Sequence, residues 1–185
     1  MIKAPKGGKV VVKLTVNGIA RDVESSPLTS LLHILREEVG LTSPKAGCQQ
    51  GGCGACTVLV DGEPRRSCVL AVGGIDGSAV TTVEGLAPDG LLSPIQAAFY
   101  ERYASQCGFC TPGFVVAGHA LLARNPEPSR EEILGALAGH MCRCTGYVKI
   151  VDAVEAAARG EVGEERVFPE SRPEEPEVLV PGSPA

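Results

Sequence analysis

Eight cysteines are the residues of this 185-residue chain best suited to chemistry, and they fall into two sets of four. The first set is Cys48, Cys53, Cys56 and Cys68, spaced C-x4-C-x2-C-x11-C. Three closely spaced thiols with a distant fourth form the plant-type pattern for a [2Fe–2S] cluster. The intervening Gln49, Gln50, Gly51, Gly52, Gly54 and Ala55 suit that task, because glycine permits the positive-φ turns and close backbone approach needed to wrap a small inorganic core. Inward-pointing N–H groups can then bond the sulfurs and tune the reduction potential. The alternative is a zinc site with four thiolates, built from two short C-x2–4-C knuckles. Cys53 and Cys56 supply one such knuckle, but Cys48 and Cys68 do not supply the other.

The second set is Cys107 and Cys110, a C-x2-C pair, followed after 31 residues by Cys142 and Cys144, a C-x-C pair. Cys110 precedes a helix expected to start at Thr111-Pro112, and Cys144 one expected to start near Tyr147. Helix N-termini offer free N–H groups and a positive dipole end, which suit an anionic iron–sulfur–thiolate core. Taken alone, this spacing leaves a zinc or purely structural role open.

The sequence around the cysteines narrows the chemistry. Residues 1–9 carry positive charge but no apolar segment ending in a cleavage site, so no secretory signal is expected. Eight thiols in a cytoplasmic chain point to metal ligation, since disulfides are rare in reducing compartments. No stretch approaches the roughly 18 apolar residues of a membrane span. The net charge of −5 all lies in the tail: residues 161–185 hold seven Glu against two Arg, while residues 1–160 carry fifteen of each sign. There is no basic stripe to suggest nucleic acid.

Two kinds of element must position the thiols. Residues 10–16 read as a strand, Asn17-Gly18 as a type I′ turn, and Ile19 to Val23 as the return strand. Ser26-Pro27 reads as the start of a helix carrying Leu28, Leu31, Leu32, Leu35 and Val39 on one face and ending at Gly40. Thr57 to Val60, Asp61-Gly62 and Cys68 to Val72 repeat the hairpin pattern, and Ala79 to Val83 adds a short strand. From Ser93 the period becomes helical. A Ser93-to-Gln96 capping box opens a helix to about Ala104, Thr111-Pro112 one to about Arg124, Ser129 with Glu132 a third, and Tyr147 to Ala158 is a fourth. The expected organisation is α+β followed by all-α: residues 9–84 form a small sheet domain, Leu86 to Leu92 a link, and 93–160 a compact helical domain. The Glu- and Pro-rich segment 161–185 is expected to be an extended or disordered arm.

Three runs carry a family resemblance: Lys45-Ala46-Gly47-Cys48 through Cys53-Gly54-Ala55-Cys56-Thr57-Val58, Gln106-Cys107-Gly108-Phe109-Cys110-Thr111-Pro112-Gly113, and Cys142-Arg143-Cys144-Thr145-Gly146-Tyr147. Together they resemble the iron–sulfur subunit or domain of the xanthine oxidase family of molybdenum hydroxylases, over about residues 9–160 and with all eight cysteines in order. The resemblance implies a ferredoxin-like β-grasp domain holding a first [2Fe–2S] cluster on Cys48, Cys53, Cys56 and Cys68. It implies a four-helix bundle holding a second on Cys107, Cys110, Cys142 and Cys144. It further implies a molybdopterin-binding partner chain and an FAD-binding partner chain, with electrons passing from molybdopterin through the second cluster and then the first to flavin. By the same carry-over Gln106 and Cys144 contact the pterin, although Gln106 is also suited to a solvated or capping role.

Two departures stand out. His140 occupies a position where the family usually has Asn, and Ser43-Pro44 replaces a more common Gly-Thr before Lys45. Neither removes a thiol, and His140 makes no Rieske-type site, which would need two His in place of two Cys. His33 and His119 read as ordinary helix residues, and Phe99, Tyr100, Phe109 and Phe114 as core or cluster-shielding residues. Arg143, between two thiols, either offsets the negative charge of a cluster or pairs with a partner chain. No residue outside the cysteines supplies a catalytic base, a nucleotide-binding glycine loop or a second metal site, so no catalytic residue is assigned. The resulting expectation is an electron-transfer subunit of a molybdenum hydroxylase. A free-standing two-cluster shuttle and a zinc-stabilised adaptor are the competing readings.

Overall fold

Alternation of apolar and polar residues decides the first half of the chain. In the computed structural model, which describes residues 8–87 and 91–163, strand β1 (Val10–Val16) buries Val10, Val12, Leu14 and Val16 and exposes the residues between them. Asn17 (φ 50°) and Gly18 (φ 80°) both take left-handed backbone, as a type I′ turn demands. Strand β2 (Ile19–Ser25) therefore returns antiparallel, with Val16 opposite Ile19 and Val10 opposite Ser25. The same device, Asp61 (φ 51°) and Gly62 (φ 82°), joins β3 (Thr57–Val60) to β4 (Glu63–Arg66). Strand β5 (Ala79–Thr81) runs parallel to β1 and antiparallel to β3, giving the sheet order β2-β1-β5-β3-β4. Val12, Leu14, Val58 and Val80 from the sheet pack on Leu31, Ile34 and Leu35, and each such buried side chain contributes about 1.5–3 kcal/mol.

Three expected boundaries are corrected here. The crossing helix starts not at Ser26-Pro27 but after Ser30, whose hydroxyl accepts from the His33 N–H at 3.3 Å. One α turn, α1 (Leu31–His33), continues into a π-helical turn at Ile34–Glu38. The backbone of residues 27–31 is already engaged elsewhere: Pro27 and Thr29 carbonyls accept from Gly73 and Val72, and the Leu31 N–H donates to Leu70. It cannot also make helical bonds, and Leu28 is left 83% exposed. The second return strand is Glu63–Arg66 rather than Cys68 to Val72. A two-residue turn at Asp61-Gly62 sends the chain back at once, and the segment after β4 coils as a 3-10 turn at Ser67–Val69. The last strand likewise ends at Thr81, ahead of a 3-10 turn at Val83–Leu86.

Among the described residues, four helices make the second half: α2 (Pro94–Glu101), α3 (Thr111–Arg124), α4 (Arg130–Leu137) and α5 (Val148–Ala158). Capping boxes open α2 and α4, with Gln96 and Glu132 reaching back to the Ser93 and Ser129 N–H groups at 2.9 and 2.7 Å. Helix α2 stops short of Ala104 because Tyr103 turns left-handed (φ 53°). Ile95, Phe99, Phe114, Ile133, Ile150 and Val154 share one core. The two halves touch where Leu59 of β3 packs on Val116 and Ala120 of α3. Of the expected link, residues 88–90 lie outside the described residues and Leu92 is buried. Of the expected arm, Glu161 pairs with Arg102 at 3.3 Å and the Gly163 N–H donates to Glu101 at 2.8 Å. Residues 164–185 lie outside the described residues. No described helix is long and apolar enough to cross a membrane.

Candidate metal centres

The loop between α1 and β3 brings Cys48, Cys53 and Cys56 round to Cys68, just beyond the end of β4. Gln49 (φ 55°), Gly51 (φ 79°) and Gly54 (φ 77°) all take left-handed backbone, which curls the loop round the thiols. Ser67 closes the far side: fully buried, it donates its hydroxyl to the Cys56 carbonyl at 2.7 Å. Gln50 and Cys53 N–H groups donate to Cys48 Sγ, both at 3.4 Å, and with the Cys53 thiol hold Cys48 down to about 6. Burial, added to hydrogen bonding with the Cys56 thiol, pushes Cys68 up to about 11. Cys48 thus interacts with the Cys53 thiol, and Cys68 with the thiols of Cys56 and Cys48.

The second set repeats that arrangement. Cys110 is the N-cap of α3, and Tyr147, in left-handed backbone (φ 70°), is the N-cap of α5. Cys107 and Cys144 thiols lie 3.6 Å apart, and Cys110 pairs with Cys142. Burial, then the Cys142 thiol, pushes Cys110 up to about 12. Burial also opposes ionisation of Cys142, but the Thr145 hydroxyl and N–H, at 3.0 and 3.4 Å, outweigh it and bring that thiol down. The Tyr147 hydroxyl accepts from the Cys142 N–H at 2.9 Å. Cys107 and Cys144 are exposed, with Gln106 exposed beside them.

All eight thiols are free. Two thiols for each of two irons is what a [2Fe–2S] core requires, and backbone N–H groups donating to sulfur suit its negative charge. A single zinc ion needs all its donors on one tetrahedron. Quartets of thiols with backbone N–H groups donating to sulfur fit the two-iron group.

The two quartets meet at one junction. Met141 N–H donates to the Cys53 carbonyl at 2.9 Å, linking the first loop to the residue before Cys142. His140, 5% exposed, packs on Phe114 with ring centroids 5.2 Å apart and ring planes tilted by 41°. Its Nε2 lies 3.0 Å from Thr57 Oγ1 and 3.1 Å from Arg66 Nη1. Burial and the Arg66 charge push its pKa down to about 4, so the ring is neutral. Arg66 also donates to the Gly139 carbonyl at 2.7 Å and to Thr57 Oγ1 at 2.5 Å. Gly113 leaves room for the Gly54 carbonyl, and Phe109 approaches Gly47 across the same junction.

Two family models match the chain in succession. Residues 14–79 match the family described as a 2Fe-2S iron-sulfur cluster binding domain, and residues 82–155 the family described as a [2Fe-2S] binding domain. The nicotinate dehydrogenase small FeS subunit of Eubacterium barkeri is 48% identical over 149 residues, covering 80% of this chain and 95% of the relative. The xanthine dehydrogenase iron-sulfur-binding subunit of Escherichia coli O157:H7 is 45% identical over 147 residues, covering 78% and 92%. The chain belongs to the iron–sulfur subunits of the xanthine oxidase family of molybdenum hydroxylases. A chain in the crystal structure of quinoline 2-oxidoreductase from Pseudomonas putida 86 superimposes with a TM-score of 0.77 at 44% identity, covering 83% of this chain and 99% of that one.

Within that family the two departures acquire structural accounts. Ser43 anchors the first loop: its N–H and hydroxyl donate to Glu84 at 3.1 and 2.5 Å, tying the loop to the 3-10 turn after β5. His140 fills the junction between the quartets. Phe99 and Phe114 are core residues as expected, whereas Tyr100 faces solvent. His33 is exposed and His119 half-buried in α3. Arg143 is exposed and makes no ion pair among the described residues. The contributions of Thr57 and Arg66 were not visible in the sequence. Arg66 has no motif, and only its place two residues before Cys68 could have drawn attention to it.

Proposed function

We propose that this chain is the electron-transfer subunit of a molybdenum hydroxylase complex, non-catalytic in itself and located in the cytoplasm. Cys48, Cys53, Cys56 and Cys68 would hold one [2Fe–2S] cluster in a β-grasp unit of residues 9–84. Cys107, Cys110, Cys142 and Cys144 would hold the other in a four-helix bundle of residues 93–160. Each such cluster supplies a reversible one-electron site. The observation that carries the reading is the gathering of the thiols four and four, with backbone N–H groups donating to Cys48 and Cys142 and the sets joined by the Cys53–Met141 hydrogen bond.

The residues divide the work. Gln106 and Cys144, on the exposed side of the helical half, are the proposed contacts to molybdopterin on a large partner subunit. The Gln50, Cys53 and Thr145 N–H groups stabilise anionic sulfur and so favour retention of the clusters. Electrons would enter at the Cys107–Cys144 edge, cross the junction, and leave from the first loop towards FAD on a further partner chain. Visible absorption and EPR of the anaerobically prepared chain test the cluster assignment, and a preparation without [2Fe–2S] signals refutes it. Coexpression with the neighbouring genes tests the subunit assignment: elution together with molybdenum- and flavin-binding chains supports it, while elution alone favours a diffusing shuttle.

A further inference from the structure

His140 holds a position that its own stability does not account for. Among the described residues its Nδ1 is buried without a hydrogen-bond partner. The Thr57 hydroxyl proton is committed to the Gly54 carbonyl at 2.6 Å, and Arg66 can only donate. Nε2 is engaged by Thr57 and Arg66 in either tautomer, and the buried Nδ1 is left without a partner. A buried polar atom without a partner is destabilising, so something else holds the ring here.

What the ring touches shows what it does. It lies against Gly54 of the first loop, Gly113 and Phe114 of α3, and Arg66 at the end of β4. Its own N–H is bonded to the Leu137 carbonyl at 2.9 Å, which ties it to the end of α4. The next residue, Met141, makes the bond to the Cys53 carbonyl, and the one after is Cys142. Arg66 spans the same gap by donating to Gly139 on one side and Thr57 on the other.

We infer that His140, braced by Arg66 and Thr57, is a positioning residue that fixes the Cys53–Met141 hydrogen bond and thereby sets electron transfer between the two thiol quartets. The inference rests on the cluster assignment proposed above. One electron crosses; one centre is oxidised as the other is reduced, and no bond or proton changes hands at the latch.

The test uses the full chain carrying both clusters, substituted His140→Ala or Arg66→Met. The expected result is that each cluster keeps its own EPR signal and occupancy, while the magnetic splitting between the two reduced clusters is lost or narrowed and their electron equilibration slows. Unchanged splitting and equilibration in His140→Ala, with both signals intact, overturns the inference. If His140→Ala does not fold, Arg66→Met decides alone by the same two readouts. Absence of cluster signals from the unsubstituted chain would instead refute the cluster assignment, so the two failures are distinguishable.

Discussion

The junction between the quartets makes its sharpest prediction at Gly54. A Cβ there would lie 2.5 Å from His140 Cδ2, 2.8 Å from Cγ and 2.9 Å from the Gly139 carbonyl oxygen, on a backbone with φ +77°. Left-handed backbone costs a non-glycine residue about 1–2 kcal/mol, and overpacking a filled site adds about 1–3 kcal/mol. Gly54→Ala should therefore lose about 2–5 kcal/mol in all. Two other glycines separate the causes. Gly62 (φ +82°) has nothing within 4 Å of a Cβ, so Gly62→Ala should show the backbone cost alone. Gly52 has neither positive φ nor a neighbour within 4 Å, and Gly52→Ala should be nearly neutral. With a urea m-value of about 1–3 kcal/mol per molar, Gly54→Ala should unfold about 1 M below Gly62→Ala. Circular dichroism and cluster bleaching would be followed on the same samples. A midpoint for Gly54→Ala equal to that of Gly62→Ala would refute the close packing at the junction. Combining Gly54→Ala with His140→Ala should recover part of the loss, because the clashing ring is gone.

Three further perturbations probe other parts of the molecule. Burial disfavours the Glu84 carboxylate, but hydrogen bonds from Ser43 and Thr82 outweigh it and hold the carboxyl below its ordinary value of 4.5. Its contribution to stability is complete above that value and is lost as pH falls through the lower folded value. The gap in thermal midpoint between the natural protein and Glu84→Gln should accordingly be constant near neutrality and close on acidification; a gap unchanged at pH 3 would contradict this. Ser129→Ala removes the hydroxyl that accepts the Glu132 N–H at 3.3 Å and should cost about 1 kcal/mol, read as a lower urea midpoint with both cluster signals retained. Cys56→Ser should perturb the first cluster's EPR signal and spare the second; loss of both from a folded protein would argue against separate quartets.

Legibility in the sequence followed the range over which each feature is determined. Both hairpin turns are local: Asn17-Gly18 and Asp61-Gly62 need only the residues that adopt positive φ, and both stand where the sequence places them. The capping boxes at Ser93 and Ser129 are local in the same way. The start of α1 was misplaced because a distant segment decides it. Residues 70–73 take up the backbone bonds of Pro27, Thr29 and Leu31, and nothing near Ser26-Pro27 records that competition. Cys68 to Val72 looked like a strand by composition, yet Cys68 must turn toward Cys56, and β4 consists of the unpromising Glu63–Arg66. The thiols themselves were legible as two sets. Their pairing within each set was not, because Cys110 meets Cys142 across 31 intervening residues through the packing of α3 against α4 and α5.

The placement of the quartets explains why a sheet and a helical core occur on one chain. Burial disfavours the thiolates of Cys68 and Cys110, and the Cys107 thiol disfavours that of Cys144, and the elements on both sides hold the thiols together. The elements that do so are the ones that join the halves. Helix α3 carries Cys110 at its N-cap and presents Val116 and Ala120 to Leu59. Strand β4 ends in Arg66, which reaches Gly139 on the helical side, two residues before Cys68. The contacts that orient the thiols thus also set the separation between the centres, and a change that loosens the interface should alter communication between the clusters before it dismantles either one.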